Sequence, residues 1–259
     1  MKIISWNVNS VRARIDNILH FLNSESIDCL LLQETKCMEK DFPYETFEDL
    51  GYNCAVYGQK SYNGVAILSK YPLEDIKTGI DEDDNIEARY IEACLNCDGK
   101  IFCVASVYVP NGRLVDSDYF EYKLKYFQRI KKQIELKLKL NEAFIIGGDY
   151  NVAPEEDDVY DPVALSKSVG FHIKERKEFW SILSTGIIDS YRFYNPQGKA
   201  YSWWDYRHAG WSRNHGMRID QILITPNIID SLKGVDIFKE YRGREKASDH
   251  TPIGIEISQ

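Results

Sequence analysis

Long apolar runs are missing from this 259-residue chain. None approaches the roughly 20 residues that a helix needs to cross a bilayer, which excludes a helical membrane protein. The opening MKIISWNVNS has no charged segment leading into a long apolar stretch, so no secretory signal is expected and the expected location is cytoplasmic. Histidine is scarce, at five residues, and there are six cysteines. Cys29, Cys54 and Cys103 sit in apolar, strand-like surroundings and are expected as buried small hydrophobes, not as a disulfide framework. Cys94 and Cys97 form a lone CxxC without the further ligands that tetrahedral zinc requires. No Walker-type glycine loop, no GxSxG elbow and no dinucleotide fingerprint occurs. Nucleotide-driven transfer and hydride chemistry therefore lose support.

What is present suits one large α/β domain over residues 1–259. The apolar fraction is 44%, which is globular, and no Pro/Gly/Ser-rich linker breaks the chain. A net charge of −8 argues against a protein that coats nucleic acid by electrostatics alone. The acids are clustered, however, at Asp81 to Asp84 and Glu155 to Asp158. The stretch from Arg207 to Arg218 holds three arginines, two histidines and no acid. It reads either as a local basic face or as a solvated loop.

Short β-branched runs alternate with helical stretches. KIISW, CLLLQE, GYNCAVYG, GVAILSK, AFIIGGDYNV, RIDQILIT and the end of SDHTPIGIEI read as strands. A helix is expected near Ala13 to Asn23. IEARYIEACL and IFCVASVYV are expected as antiparallel neighbours joined at Asp98-Gly99. Residues 118–140 are the clearest helix, with Tyr119, Leu124, Phe127, Ile130, Ile134 and Leu138 near a 3.6-residue period and lysines elsewhere. SWNVN and GDYNV each end an apolar strand, a short internal echo.

The informative residues are polar ones at strand ends: Asn7 and Asn9, Glu34, Asp149 and Asn151, Asp220, and Asp249 with His250. An acid emerging from an apolar run must be hydrogen-bonded, paired or metal-bound, or its burial is costly. Any one alone reads as a cap or surface residue. Together, carboxylates and carboxamides suit a hard divalent cation with oxygen ligands, with His as a separate phosphate or proton partner.

The motifs WNVN at 6–9, LQETK at 32–36, NGVAILS at 63–69, VYVPNG at 107–112, GGDYNVAP at 147–154, DVYDP at 158–162, YSWWDYR at 201–207, MRIDQIL at 217–223 and SDHTPI at 248–253 are similar, in this order, to those of the exonuclease III family of apurinic/apyrimidinic endonucleases. The resemblance runs from Lys2 to Ile257. It implies a deoxyribonuclease I-like four-layer sandwich, two packed mixed β-sheets flanked by helices, with one active site at the sheet edges. It implies a Mg²⁺- or Mn²⁺-dependent enzyme of DNA repair that incises duplex DNA 5′ to abasic sites and removes 3′ nucleotides or blocking groups.

By motif match, Glu34 would be the main metal carboxylate, with Asn7, Asp149, Asn151 and Asp249 also near the metal. Asp149 would activate the attacking water and Asn151 hold it. His250, oriented by Asp220, would donate to a phosphate oxygen. Tyr108 would bond the phosphate or serve the leaving oxygen, and Asn9 and Lys36 would orient Glu34. Trp203, Met217 and Ile219 would form the pocket for a flipped-out abasic sugar, and Tyr62, Asn63, Asn111 and Arg113 would grip the duplex. The implied partner is double-stranded DNA, met by a monomer. Two other readings stay open: a phosphatase or phosphodiesterase of the same superfamily acting on inositol phosphates or phospholipids, and an inactive DNA-binding module.

Overall fold

Cys29–Gln33 is buried at every residue, which marks a strand covered on both faces. The same holds for Val65–Ser69, Phe144–Asp149 and Asp220–Ile224. Such strands need a packed layer on each side. The computed structural model, which describes residues 1–81, 83, 86–97 and 99–258, supplies those layers. Its elements are β1 (Lys2–Asn7), α1 (Ile15–Ser24), β2 (Cys29–Gln33), α2 (Tyr44–Glu48), β3 (Asn53–Tyr57), β4 (Val65–Ser69), β5 (Leu73–Thr78), β6 (Tyr90–Cys97), β7 (Lys100–Tyr108) and α3 (Asp118–Lys139). There follow β8 (Phe144–Asp149), α4 (Pro162–Leu165), α5 (Ile173–Leu183), β9 (Ile188–Asp189), α6 (Ser190–Tyr194), β10 (Trp203–Trp204), β11 (Gly216–Met217), β12 (Asp220–Ile224), β13 (Leu232–Ile237) and β14 (Ile253–Ile257).

Among the described residues, two six-stranded sheets run in the orders β13-β14-β1-β2-β4-β3 and β5-β6-β7-β8-β12-β9. Each has a parallel pair at its centre, β1 with β2 and β7 with β8, and antiparallel neighbours on both sides. The internal echo thus falls on matching strands, because SWNVN ends β1 and GDYNV ends β8.

The two-residue period of a strand sends alternate side chains to opposite faces. Ile3, Leu31 and Ile67 meet Val104, Ile145 and Ile222 between the sheets. Ile4, Trp6, Leu30 and Leu32 face outward onto Ile18 and Phe21 of α1. On the other side, Val107 and Ile146 face Phe127 and Ile130 of α3 and Phe179 and Ile182 of α5. This is the four-layer sandwich expected from the resemblance. Gly147 marks a close approach of the sheets: a Cβ there would lie 2.8 Å from Leu31 Cδ1.

Three expectations need correction. The strand expected from Ile86 begins at Tyr90. The buried stripe of α3 is rotated from the expected one: Tyr119 is exposed, whereas Phe120, Lys123, Tyr126 and Lys137 are buried with Phe127, Ile130 and Ile134. Cys103 is not a free thiol; it forms a disulfide with Cys94, directly opposite it in the β6–β7 ladder. Cys97 lies an odd number of residues from Cys94 on the same strand, so it faces the core between the sheets and cannot share a ligand with it. Asp98 of the expected turn, and residues 82 and 84 of the acidic run, lie outside the described residues.

Leu31 is fully buried where the sheets approach closely at Gly147, so Leu31→Ala is expected to cost about 2–5 kcal/mol in urea unfolding. Leu136→Ala, on the exposed side of α3, is the control and should stay within about 0.5 kcal/mol.

Candidate active site at the ends of the central strands

The parallel pairs bring the polar strand ends together. Asn7 pairs with Gln33 in register, which puts Glu34 just past the end of β2. In the other sheet Tyr108, Asp149 and Asp220 lie abreast at the ends of β7, β8 and β12. The two sets meet across the sandwich. Asn7 Nδ2 donates to Glu34 Oε1 at 2.8 Å and to Asp149 Oδ2 at 2.9 Å. Holding these positions requires left-handed backbone at non-glycine residues, with φ of 50° at Glu34 and 51° at Asn151. Such conformations cost energy and persist where the surroundings fix them.

His250 is buried and hydrogen-bonded through Nδ1 to Asp220 Oδ2 at 2.9 Å, leaving Nε2 3.6 Å from Asp149 Oδ2. Ser202 donates to Asp220 at 2.6 Å, and Ser248 Oγ accepts from the His250 backbone at 3.2 Å. Burial alone would push the imidazole pKa down. Asp220 and Asp149 outweigh it and raise the value to about 10. Burial raises the Asp149 pKa, opposed by the His250 charge and reinforced by Asp220 and Glu34. For Tyr108, burial and then the nearby Glu34 and Asp149 charges push the phenol well above its ordinary pKa, which favours a neutral hydroxyl donor. For Asp249, burial would raise the pKa, but His250 and bonds from Trp203 and Asn9 hold it below the usual carboxylate value.

The other expected residues fall into place unevenly. Lys36 pairs with Glu34 Oε2 at 2.8 Å and donates to Asn9 Oδ1 at 2.6 Å, and Asn9 Nδ2 reaches Asp249 Oδ1 at 2.9 Å. Asn151 donates its backbone N–H to Asp149 Oδ1 at 2.8 Å and accepts from Asn111 Nδ2 at 3.0 Å. Trp203 and Met217 are directly paired in the β10–β11 ladder, and Met217 and Ile219 are both buried. Tyr62 is exposed, and the Arg113 guanidinium lies 3.6 Å from the centre of the Tyr119 ring. Asn63 is mostly buried, with its amide on Gln59 Oε1 at 3.0 Å, and lines a surface cavity with Tyr62, Asn111 and Arg113. Arg218 is no part of a basic face. It is buried between Asp158 and Asp189, with Nε 2.7 Å from Asp158 Oδ1 and Nη2 2.8 Å from Asp189 Oδ2.

Beside this cluster lies a cavity of about 190 Å³, lined by Glu34, Asp149 and His250 together with Trp203, Met217 and Ile219. Val169 and Gly170 line it as well. Sequence reasoning missed both, since neither carries a reactive group. The one signal was the positive φ of +93° that Gly170 adopts, which only a structure reveals.

Ligand atoms of Glu34, Asp149 and His250 lie within 4.8 Å of one another, close enough to share one ion. The two carboxylates come from different sheets, and their crowding is what a cation would relieve; as oxygen donors they fit a hard divalent metal, whereas a charged His250 would not bind it. Asp249 is not among these three, and both its oxygens are engaged, by Asn9 and by Trp203 Nε1 at 3.0 Å.

Residues 4–250 match the family described as Endonuclease/Exonuclease/phosphatase. The chain belongs to that family. Among its members, Exodeoxyribonuclease III of Haemophilus influenzae is 32% identical, over 99% of this chain and 100% of its own length. Two solved structures from the same family cover 100% of both chains. One, the 3′ phosphatase NExo from Neisseria bound to product DNA hairpin, is 35% identical with a TM-score of 0.96. The other, an AP endonuclease from Archaeoglobus fulgidus, is 34% identical with a TM-score of 0.94. No helix among the described residues is long and apolar enough to cross a membrane.

His250 and Asp149 both hold their protons to higher pH in the fold than in the unfolded chain. The native state therefore binds more protons, and stability falls as pH rises. The His250 contribution is complete below its unfolded value near 6.5 and is lost as pH rises through about 10. In chelator-treated protein, the unfolding free energy should decline across that window, and His250→Asn should flatten the decline. An equal slope in both proteins would mean that the imidazole is not charged in the fold.

Proposed function

We propose that this single catalytic domain is a metal-dependent DNA phosphodiesterase of repair. It incises duplex DNA 5′ to abasic sites and removes 3′ nucleotides or 3′ blocking groups, acting as a cytoplasmic monomer. The observation that carries this reading is the shared cavity: the carboxylate–histidine cluster and the apolar Trp203, Met217 and Ile219 line the same small space. Its volume lies below the roughly 300 Å³ at which pockets for larger ligands begin. That suits a sugar without its base, which is also the cheapest nucleotide to extrude from a duplex.

Mg²⁺ or Mn²⁺ held chiefly by Glu34, with Asn7, Asp149 and Asn151 beside it, would neutralise charge on the phosphoryl oxygens. Asp149 accepts a proton from the attacking water, and Asn151 orients that water through its tie to Asp149. His250 donates Nε2–H to a non-bridging oxygen as charge builds. Its Nδ1 is committed to Asp220 and its charged form is favoured, so it serves as a donor and not as a ligand. Tyr108 donates its hydroxyl to the phosphate or the leaving oxygen. Asp249 acts by holding Asn9 and Trp203. Lys36 and Asn9 keep Glu34 oriented. Tyr62, Asn111 and Arg113 meet the duplex beside the cavity.

A labelled duplex with one abasic analogue and a matched intact duplex, each with Mg²⁺ and with chelator, test the reading. Metal-dependent incision 5′ to the lesion is expected. Shortening of the intact duplex alone would move the main activity to 3′ exonuclease, and cleavage of neither would leave the inositol phosphate, phospholipid and inactive-module readings. Glu34→Ala is expected to abolish cleavage without lowering the cooperativity of unfolding. His250→Asn is expected to lower kcat by about 10²–10⁴, with little change in DNA affinity; a loss confined to affinity would remove its assigned role.

A further inference from the structure

Lys123 and Glu175 form an ion pair with no side-chain exposure at either partner, far along the chain from every strand end of the site. An ammonium has three hydrogens to donate. Those of Lys123 go to Glu175 Oε2, to the Asn111 carbonyl at 3.1 Å and to the Asn151 carbonyl at 2.7 Å. The other Glu175 oxygen accepts from the backbone N–H of Gly170 at 2.7 Å and of His172 at 2.9 Å. The Gly170 carbonyl in turn accepts from Ala153 N at 2.7 Å. Three loops that share no strand ladder are thereby joined at one buried point.

Those loops carry much of the cavity wall. Asn111, Asn151 and Gly170 all line it, and a Cβ at Gly170 would lie 3.2 Å from Met217 Cε. A buried ion pair can be replaced by neutral side chains of similar size at little cost to stability, so stability alone gives no reason for this one. Its particular bonds are to backbone groups of the wall.

We propose that Lys123 and Glu175 are positioning residues that set the width of the sugar cavity and thereby the preference for an abasic over a base-bearing nucleotide. This rests on the function proposed above. Without the pair, Asn111, Asn151 and Gly170 lose a common anchor, the wall packed against Met217 loosens, and discrimination falls while Glu34, Asp149 and His250 keep their own side-chain bonds.

The test compares wild type with Lys123→Met/Glu175→Gln, in which the pair is neutral and Gln can still accept from Gly170 and His172. Glu175→Gln alone is the second variant. Circular dichroism and thermal melting establish that each is folded. Amide exchange should rise at 109–113, 150–153 and 169–173 and be unchanged in β2 and β4. The ratio of kcat/KM for abasic incision to that for 3′ nucleotide removal should fall by about tenfold or more, through KM for the abasic duplex more than through kcat. Faster exchange with an unchanged ratio would make the pair a structural bolt only and overturn the proposal, as would unchanged exchange. If the double variant does not fold, the same readings on Glu175→Gln decide. Wild type that cleaves neither substrate would sink the proposed function and this inference with it.

Discussion

One carboxamide holds the two halves of the site together. The Asn7 side chain spends both of its amide hydrogens on carboxylates from different sheets, Glu34 at 2.8 Å and Asp149 at 2.9 Å. Two acids so close would repel, and the buried carboxylate of Asp149 would be costly if left unbonded. A neutral donor between them satisfies both without cancelling their charge. Their negative potential therefore remains available to a cation. The packing of the sheets and the assembly of the site are in this sense one event.

The sheets that Asn7 joins are built alike, each with a parallel pair at its centre. The likeness extends to the chain entering the neighbouring strand on the other side. Asp220 opens β12 beside β8, and His250 lies just before β14 beside β1. These two residues are the ones that hydrogen-bond to each other, at 2.9 Å. Corresponding strand entries in two similar sheets, one residue apart in register, thus carry complementary chemistry, an acid on one and a base on the other.

The sequence made the strand ends legible because an apolar run followed at once by Asn, Asp or Glu breaks the burial rule visibly. Glu34, Asp149 and His250 converge as that break suggested. The cavity wall of Trp203, Met217 and Ile219 was legible through motif resemblance, since periodicity says nothing of which loops meet. Charge misled at two places. Arg218 read as surface and Lys123 as the solvent side of α3, yet both are buried, because acids 29 to 60 residues away in sequence supply their partners. Cys103 was misread for a related reason: its partner Cys94 is set by ladder register, which spacing does not encode. Val169 and Gly170 contribute shape alone, which leaves no chemical trace in a sequence.

The bonds that define the site join residues very distant along the chain: 142 positions separate Asn7 from Asp149, and 240 separate Asn9 from Asp249. Contacts of such separation close late, because chain entropy must be overcome before they form. His250 meets Asp149 and Asp220 only when strands from both sheets are in place. The convergence of Glu34, Asp149 and His250 is therefore confined to molecules in which both sheets have packed: a half-folded chain has the residues but not the site.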